Sequence, residues 1–396
     1  MSAYPIASRI PRHLTAVLSE RARQYPVVTV TGPRQAGKTT LCRDAFPNLP
    51  YANLEQPDVR EFALADPGGF LARYPRGAII EEVQRVPSLL SWIQVRVDAT
   101  PGNGQFILTG SHQFDLMASI TQSLAGRTAL LNLLPLSVNE LRQAGFSGTT
   151  DRLLFAGGYP RIHAQGLSPE VVLGDYFETY VERDLRQLIE LRQLREFRRF
   201  VQLCAGRVGC LLNLASLAND VGISGHTARA WLSLLEASYV VYLLPPWFEN
   251  IGKRLIKSPK LYFYDVGLSA WLCGVRDVSQ LVAHPLRGVF FENLVVMEFV
   301  KQFEHHGQRV PLCFYRDSQG VEVDLVVQDT GVPGGLGLVE IKAAQTYHSG
   351  FAAALKQTGA LLRSRVQRMM VVYGGDQDYV REGIEVVGLQ SGNTRP

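Results

Sequence analysis

The sequence predicts an α/β protein built in three parts, on three observations. A β-branched run, Val27-Val28-Thr29-Val30, meets a glycine-rich turn and then a helix. Two later apolar runs, Ala78-Ile79-Ile80 and Phe106-Ile107-Leu108-Thr109, each end in polar residues, as buried parallel strands do. From about Phe155 the pattern changes to long helical periodicity, and after Gly288 strand and helix alternate again. A chain of 396 residues is too long for one hydrophobic core, so two or three domains are expected.

Taken in order, an amphipathic stretch from His13 to Gln24 leads through Pro26 into the first strand, and a helix begins at about Thr39. Strands that alternate with helices and end in polar residues are the grammar of a doubly wound domain, with chemistry at the carboxyl ends of the strands. In the middle, Tyr176 to Cys204 reads as one or two helices rich in Leu and Arg. Leu211 to Leu244 reads as helix, turn at Gly222-Ile223-Ser224-Gly225, helix, and a β-prone run stopped by Pro245-Pro246. The last part reads as a helix from Val289 to about Phe303, then strands near 312–315, 321–327 and 337–341. A helix near 351–362 and strands near 369–373 and 384–387 complete it.

The glycine-rich turn carries chemistry. Gly32-Pro33-Arg34-Gln35-Ala36-Gly37-Lys38-Thr39, continued by Thr40, fits G-x-x-x-x-G-K-[ST] in full and sits between a strand and a helix. Glycines let the backbone curl around phosphate oxygens, and the helix N-terminus adds positive potential. Lys38 is expected at the β- and γ-phosphates of ATP, and Thr39 on magnesium. The strand Ala78-Ile79-Ile80 ends in Glu81-Glu82, where Glu81 is assigned to the metal and Glu82 to the attacking water. Asp is commoner than Glu at the first of these positions, and the extra methylene of Glu81 raises a question of geometry. Ser111, ending a third strand, either senses the γ-phosphate or orients the water, or is a turn serine. Arg127, in Leu124-Ala125-Gly126-Arg127, either stabilises transition-state charge, in its own site or a neighbour's, or is a surface arginine.

Composition excludes some classes. Hydrophobic residues are 46% and charged residues 19%, ordinary for a folded chain. No apolar run spans a bilayer and the start is polar, so no membrane partner and a cytoplasmic location are expected. The five scattered cysteines form no C-x-x-C pair, which argues against disulfides or zinc. Forty basic against thirty-six acidic residues leave +4, which permits nucleic acid without demanding it.

Thr31 to Thr40, Ile79-Ile80-Glu81-Glu82-Val83-Gln84, Thr109-Gly110-Ser111 and Leu124 to Arg127 together resemble a family of prokaryotic AAA-type P-loop ATPases. Pro135-Leu136-Ser137 with Glu140-Leu141, Gly157-Gly158-Tyr159-Pro160 and Tyr180-Val181-Glu182-Arg183-Asp184 fit the same pattern. The resemblance runs along nearly the whole chain. It implies an AAA-type domain over 1–150, a helical region with a winged helix-turn-helix over 151–262, and a domain similar to the PD-(D/E)XK nucleases, restriction-endonuclease-like, over 263–396.

In that last part Glu292, Asp324 and Glu340 are candidate magnesium ligands and Lys342 a candidate catalytic lysine. Such a nuclease needs carboxylates converging on a divalent ion with a lysine beside the scissile phosphate. The other reading is a nuclease-like fold that no longer cuts. In the second helix of the helix-turn-helix, His226, Thr227, Arg229 and Ser233 share a polar face, with Trp231, Leu234 and Leu235 inward. That helix either reads a DNA groove or packs domains. Six arginines between Tyr180 and Phe200, set against four acids, read as a solvated, ion-paired helix.

The functional expectation is an ATP-hydrolysing AAA-type protein acting on DNA, branched or single-stranded, with ATP and magnesium as cofactors and a homo-oligomer, such as a ring, as its assembly. The alternative is an ATP-dependent regulatory switch or toxin-like protein that engages a protein partner and whose terminal domain cuts nothing. A small-molecule kinase is disfavoured, since nothing after the turn resembles an acceptor pocket.

Overall fold

A computed structural model describes residues 9–111, 120, 123–181, 193–248, 258–328 and 331–391. The first part is a parallel sheet of β1 (Val27–Thr31), β2 (Tyr51–Asn53), β3 (Ala78–Glu81), β4 (Phe106–Thr109) and β5 (Thr128–Asn132), in the order β2-β3-β4-β1-β5. Around it lie α1 (Leu14–Gln24), α2 (Lys38–Ala45), α3 (Pro57–Ala65), α4 (Pro67–Ala72) and α5 (Leu89–Ala99). Alternate residues serve opposite faces. Val27, Ala78, Ile80, Phe106 and Leu108 join one buried cluster with Leu90 and Ile93 of α5. Val28, Val30, Ile79, Ile107 and Leu131 join the other with Leu14 and Leu18 of α1. Both faces are covered, which is why the strands read as unbroken apolar runs.

After β5 come the short helices α6 (Val138–Gln143), α7 (Thr150–Ala156), α8 (Pro160–Gln165) and α9 (Pro169–Tyr176). A capping box between Ser137 and Glu140 starts α6, and Pro160 and Pro169 stand at the first turns of α8 and α9. The helix-turn-helix is α11 (Leu214–Val221) and α12 (Gly225–Ala237), preceded by α10 (Leu194–Ala205). Gly222 takes the left-handed conformation that ends α11, and the Ser224 side chain caps α12. Trp231 of α12 meets Phe197 and Phe200 of α10 edge-on at 5.3 and 5.6 Å. His226 and Arg229 are exposed and Thr227 and Ser233 half-buried, while Leu234 is only half-buried and Leu232 takes an inward place beside Trp231 and Leu235. An antiparallel pair, β6 (Val241–Leu244) and β7 (Lys260–Phe263), forms the wing. β7 lies across the 262/263 boundary expected from the sequence. Of the ion-paired helix expected between Tyr180 and Phe200, Glu182, Arg183, Asp184, Arg186, Glu190 and Arg192 lie outside the described residues.

The last part holds α13 (Val266–Leu272), α14 (Val278–Val282) and the long α15 (Arg287–His305). Then follow β8 (Leu312–Arg316), β9 (Glu322–Val327), β10 (Leu336–Lys342), α16 (Ala353–Leu362), β11 (Val366–Tyr373), β12 (Tyr379–Arg381) and β13 (Ile384–Gly388). Its sheet runs β12-β13-β11-β10-β9-β8. β12 is an edge strand whose three residues are all exposed, so it leaves no apolar signal.

These parts do not hang on linkers. One buried cluster runs from Leu134 to Leu389, and thirteen of the nineteen residues of α15 are buried. Thr31, at the end of β1, hydrogen-bonds Tyr239 at 3.0 Å. Asn132 of β5 accepts from Tyr239 and donates to Glu304 of α15 at 3.0 Å. No helix among the described residues is long and apolar enough to cross a membrane.

Candidate functional site

The turn between β1 and α2 is shaped by three residues at positive φ: Gly32 (137°), Gln35 (59°) and Gly37 (94°). A Cβ on Gly32 would lie 2.2 Å from the Leu133 carbonyl oxygen, so only glycine fits there. Lys38 is buried and donates to the carbonyls of Gly32 (2.9 Å) and Pro33 (2.8 Å). Burial pulls its ammonium down to about 8, against the opposing pull of Glu82 and Glu81.

The carboxylate pair after β3 divides in space. Glu81 continues the strand line: Thr39 Oγ1 donates to its Oε1, and Tyr51 Oη on the neighbouring β2 donates to its Oε2. Burial raises the Glu81 pKa, and the Tyr51 hydrogen bond opposes that rise. Glu82 is in the left-handed conformation, φ 55°. Its Oε2 accepts from Gln84 Nε2 (2.6 Å) and from Ser111 Oγ (3.1 Å). A hydroxyl and a carboxylate in contact form a hard-oxygen pair of the kind magnesium takes, so Thr39 and Glu81 fit that ion.

These groups open on a cavity of about 800 Å³. Arg34, Gln35, Ala36, Gly37, Lys38, Thr39 and Thr40 line it together with Glu81 and Glu82. Arg9 to Arg12 close one side, and Pro160, Arg161 and Ala164 of α8 another. Arg12, Tyr51, Gln84 and Arg161 had no role assigned from sequence alone.

Arg12 ties the turn to the rest of the chain. Its guanidinium donates to the Ala36 carbonyl (2.7 Å), the Leu134 carbonyl (2.6 Å) and Glu140 Oε1 (3.1 Å). Glu140 is fully buried and also accepts from the backbone N–H groups of His13 and Ser137. Burial alone would raise its pKa, but Arg12, His305 and those N–H groups bring it down to about 2. His305 of α15 lies 3.6 Å from Glu140 and accepts from Leu134 N–H through Nε2. Burial pushes it down to about 3 despite Glu140.

Unfolded His305 takes a proton near pH 6.5 and the folded residue does not, so its contribution is full above 6.5 and falls as pH drops toward 3. Glu140 keeps its contribution down to about pH 4.5 and loses it as pH falls through about 2. His305→Gln should therefore flatten the stability curve between pH 6.5 and 5, removing a slope of up to about 1.4 kcal/mol per pH unit. Urea unfolding of both proteins across that range measures it; parallel curves refute it.

Arg127 is placed elsewhere. It precedes β5, and its carbonyl accepts from Val27 N–H at the start of β1. The phosphate turn leaves the opposite end of that strand, about 13 Å away. Arg127 forms a bidentate pair with Asp98 at 2.7 and 2.8 Å, so it does not serve its own site.

The C-terminal candidates are brought together. Lys342 Nζ lies 2.5 Å from Glu340 and 3.8 Å from Asp324, whose Oδ2 also accepts from Ile341 N–H. Lys260 of β7, only 3% exposed, stands among the carboxylates. Its ammonium is 3.2 Å from Glu292, 2.5 Å from Glu322 and 4.0 Å from Asp324, and Tyr262 Oη donates to Glu292 at 2.6 Å. Burial, then Glu292 and Glu340, push the Asp324 pKa upward. Among the described residues no group of three or more His, Cys, Asp or Glu is arranged to hold a metal ion. Lys260 thus stands beside Glu292 and Asp324, and Lys342 beside Glu340 and Asp324, so two lysines of this chain share the space with the candidate ligands.

Comparison with known proteins accords with the first site. Residues 24–142 match the family described as AAA domain. Two mycobacterial proteins, the uncharacterized proteins Rv2008c of Mycobacterium tuberculosis and Mb2031c of Mycobacterium bovis, are each 34% identical over 371 residues, covering 93% of this chain and 81% of theirs. The chain belongs to their family. Its AAA domain, with the parallel sheet and the complete phosphate turn, is of the P-loop ATPase type and implies nucleotide binding, typically with magnesium. Beyond the AAA domain, residues 148–279 and 287–391 match two families described as domains of unknown function. Among solved structures, the Walker-type ATPase PABY2304 of Pyrococcus abyssi is 14% identical with a TM-score of 0.44, covering 65% of this chain and 94% of that one. That likeness is too distant to carry a functional argument.

Proposed function

We propose that this protein is an ATP-hydrolysing regulatory switch whose C-terminal part cuts nothing. The observation that carries the first half is the joint placement of Lys38, Thr39, Glu81 and Glu82 on one cavity. Lys38 would meet the phosphates, and Thr39 and Glu81 would hold a magnesium ion, which would supply charge neutralisation on the phosphate oxygens. Glu82, oriented by Ser111 and Gln84, takes the proton of the attacking water. The second half is supported by Lys260, an ammonium 3.2 Å from Glu292 and 4.0 Å from Asp324, two of the carboxylates that a nuclease would turn to a metal. The Arg12–Glu140–His305 contacts join the phosphate turn to α15, so the C-terminal part is the natural recipient of the nucleotide signal.

Action on DNA is the second reading, favoured by the helix-turn-helix and wing with His226 and Arg229 exposed on α12. Assembly into a homo-oligomer is compatible with either reading: Arg127, out of reach of its own site and paired with Asp98, is either a surface arginine or turns to a neighbour's site on leaving that partner. One experiment separates the readings: phosphate release and gel shift with single-stranded, branched and duplex DNA, alongside nicking assays in manganese. The switch reading expects magnesium-dependent hydrolysis that DNA does not stimulate, with no nicking. Stimulation by DNA establishes the second reading, and nicking lost in Asp324→Ala overturns the non-cutting assignment.

A further inference from the structure

Glu81 is one methylene longer than the aspartate expected at a metal-facing strand end, and a longer side chain has one more torsion to fix. The structure fixes it at both oxygens. Thr39 Oγ1 contacts Oε1 and Tyr51 Oη contacts Oε2. Tyr51 is well set for this. It stands at the start of β2, paired in register with Ile79 of β3, so its side chain and that of Glu81, two residues along β3, share one face of the sheet. The Arg43 guanidinium lies 5.0 Å from the centre of its ring, holding the ring from α2.

We propose that Tyr51 is a positioning residue for the magnesium-nucleotide site, holding Glu81 in the orientation from which it serves the cation. The inference rests on the reading of this cavity as a magnesium-nucleotide site. Once Thr39 is engaged by the cation, the phenol is the remaining side-chain hold on Glu81. The tyrosine and the glutamate thus form a matched pair. The longer carboxylate reaches toward β2, and the phenol there gives it a fixed direction. A shorter aspartate, retracted by about 1.5 Å, loses contact with Tyr51 and does not need it.

The test uses the full chain with Tyr51→Phe, Glu81→Asp and the double substitution. Manganese binding in the presence of a non-hydrolysable ATP analogue is followed by electron paramagnetic resonance. Nucleotide affinity in EDTA, the melting temperature and the magnesium midpoint of ATP hydrolysis are measured alongside. Tyr51→Phe should weaken manganese binding and raise the magnesium midpoint about tenfold, the effect of one hydrogen bond to a charged group. EDTA affinity and melting temperature should not change. In the Glu81→Asp background, Tyr51→Phe should add less than about twofold to either metal measure.

Wild-type metal binding in Tyr51→Phe overturns the inference, as does an equal loss in both backgrounds. A lowered melting temperature with an unchanged metal midpoint assigns Tyr51 a merely structural role and overturns it as well. If the wild type itself shows neither nucleotide-dependent manganese binding nor hydrolysis, the reading of the cavity fails before Tyr51 is in question.

Discussion

Lys38→Ala is expected to abolish ATP turnover, with a loss in kcat/KM on the order of 10³ or more. The reason is positional. The ammonium is buried at the turn, held by the Gly32 and Pro33 carbonyls, and its proton is loosened by burial to about 8. Arriving phosphate oxygens replace carbonyl dipoles with full negative charge, which restores firm protonation and gives the cavity its main electrostatic attraction. Arg34 also lines the cavity, but its guanidinium is directed to Glu55, 3.6 Å away. It cannot take over the place beneath the loop. Calorimetric titration with ATP and a phosphate-release assay measure the two halves of the effect. Wild-type hydrolysis in Lys38→Ala would remove the central claim.

Glu82→Gln should bind ATP normally and hydrolyse it about 10²- to 10⁴-fold more slowly. Glutamine keeps the size and the amide oxygen that accepts from Ser111, so the site stays assembled, but it cannot take a proton from water. Its left-handed backbone matters here: φ 55° turns Glu82 off the strand line toward Ser111 and Gln84, while Glu81 continues toward Thr39. The two neighbours therefore have separate work, and Glu81→Gln should instead weaken metal-dependent binding. Intact binding with dead turnover in Glu81→Gln would reverse the assignment. Single-turnover kinetics with both variants at saturating magnesium separate the outcomes.

How much of this was legible in the sequence follows from distance along the chain. Gly32 to Thr40 carry their meaning locally, because a phosphate turn is one continuous piece of backbone. Glu81 and Glu82 were legible because an apolar strand ending in polar residues delivers them to the same sheet edge. Arg12 was not: its three acceptors lie 24 to 128 residues away, and nothing in Ile10-Pro11-Arg12-His13 marks it. Tyr51 was hidden for the same reason, since only the pairing of β2 with β3 brings a phenol to Glu81.

Arg127 shows the opposite failure. A suggestive segment stands before β5, yet strand direction puts it at the sheet edge away from its own phosphates. In the C-terminal part, Glu292, Asp324, Glu340 and Lys342 were expected together and are together. What spacing could not disclose was Lys260, a single basic residue on a strand assigned to another part of the chain. It adds an ammonium of this chain to the cluster, 3.2 Å from Glu292 and 4.0 Å from Asp324.

The buried helix α15 bears on how such a chain can change over generations. Domains joined by free linkers can be exchanged by recombination, each carrying its own interior. Here the same helix gives Glu304 to the end of β5, His305 to the contacts around Glu140, and Glu292 to the lysine of the wing. An exchange that brought in a foreign C-terminal part would leave Glu140 with a vacancy beside it and Lys260 with a missing counter-ion. The three parts are therefore constrained to be inherited as a unit, and a new specificity has to arise by substitution at exposed places such as α12 and not by replacing a module.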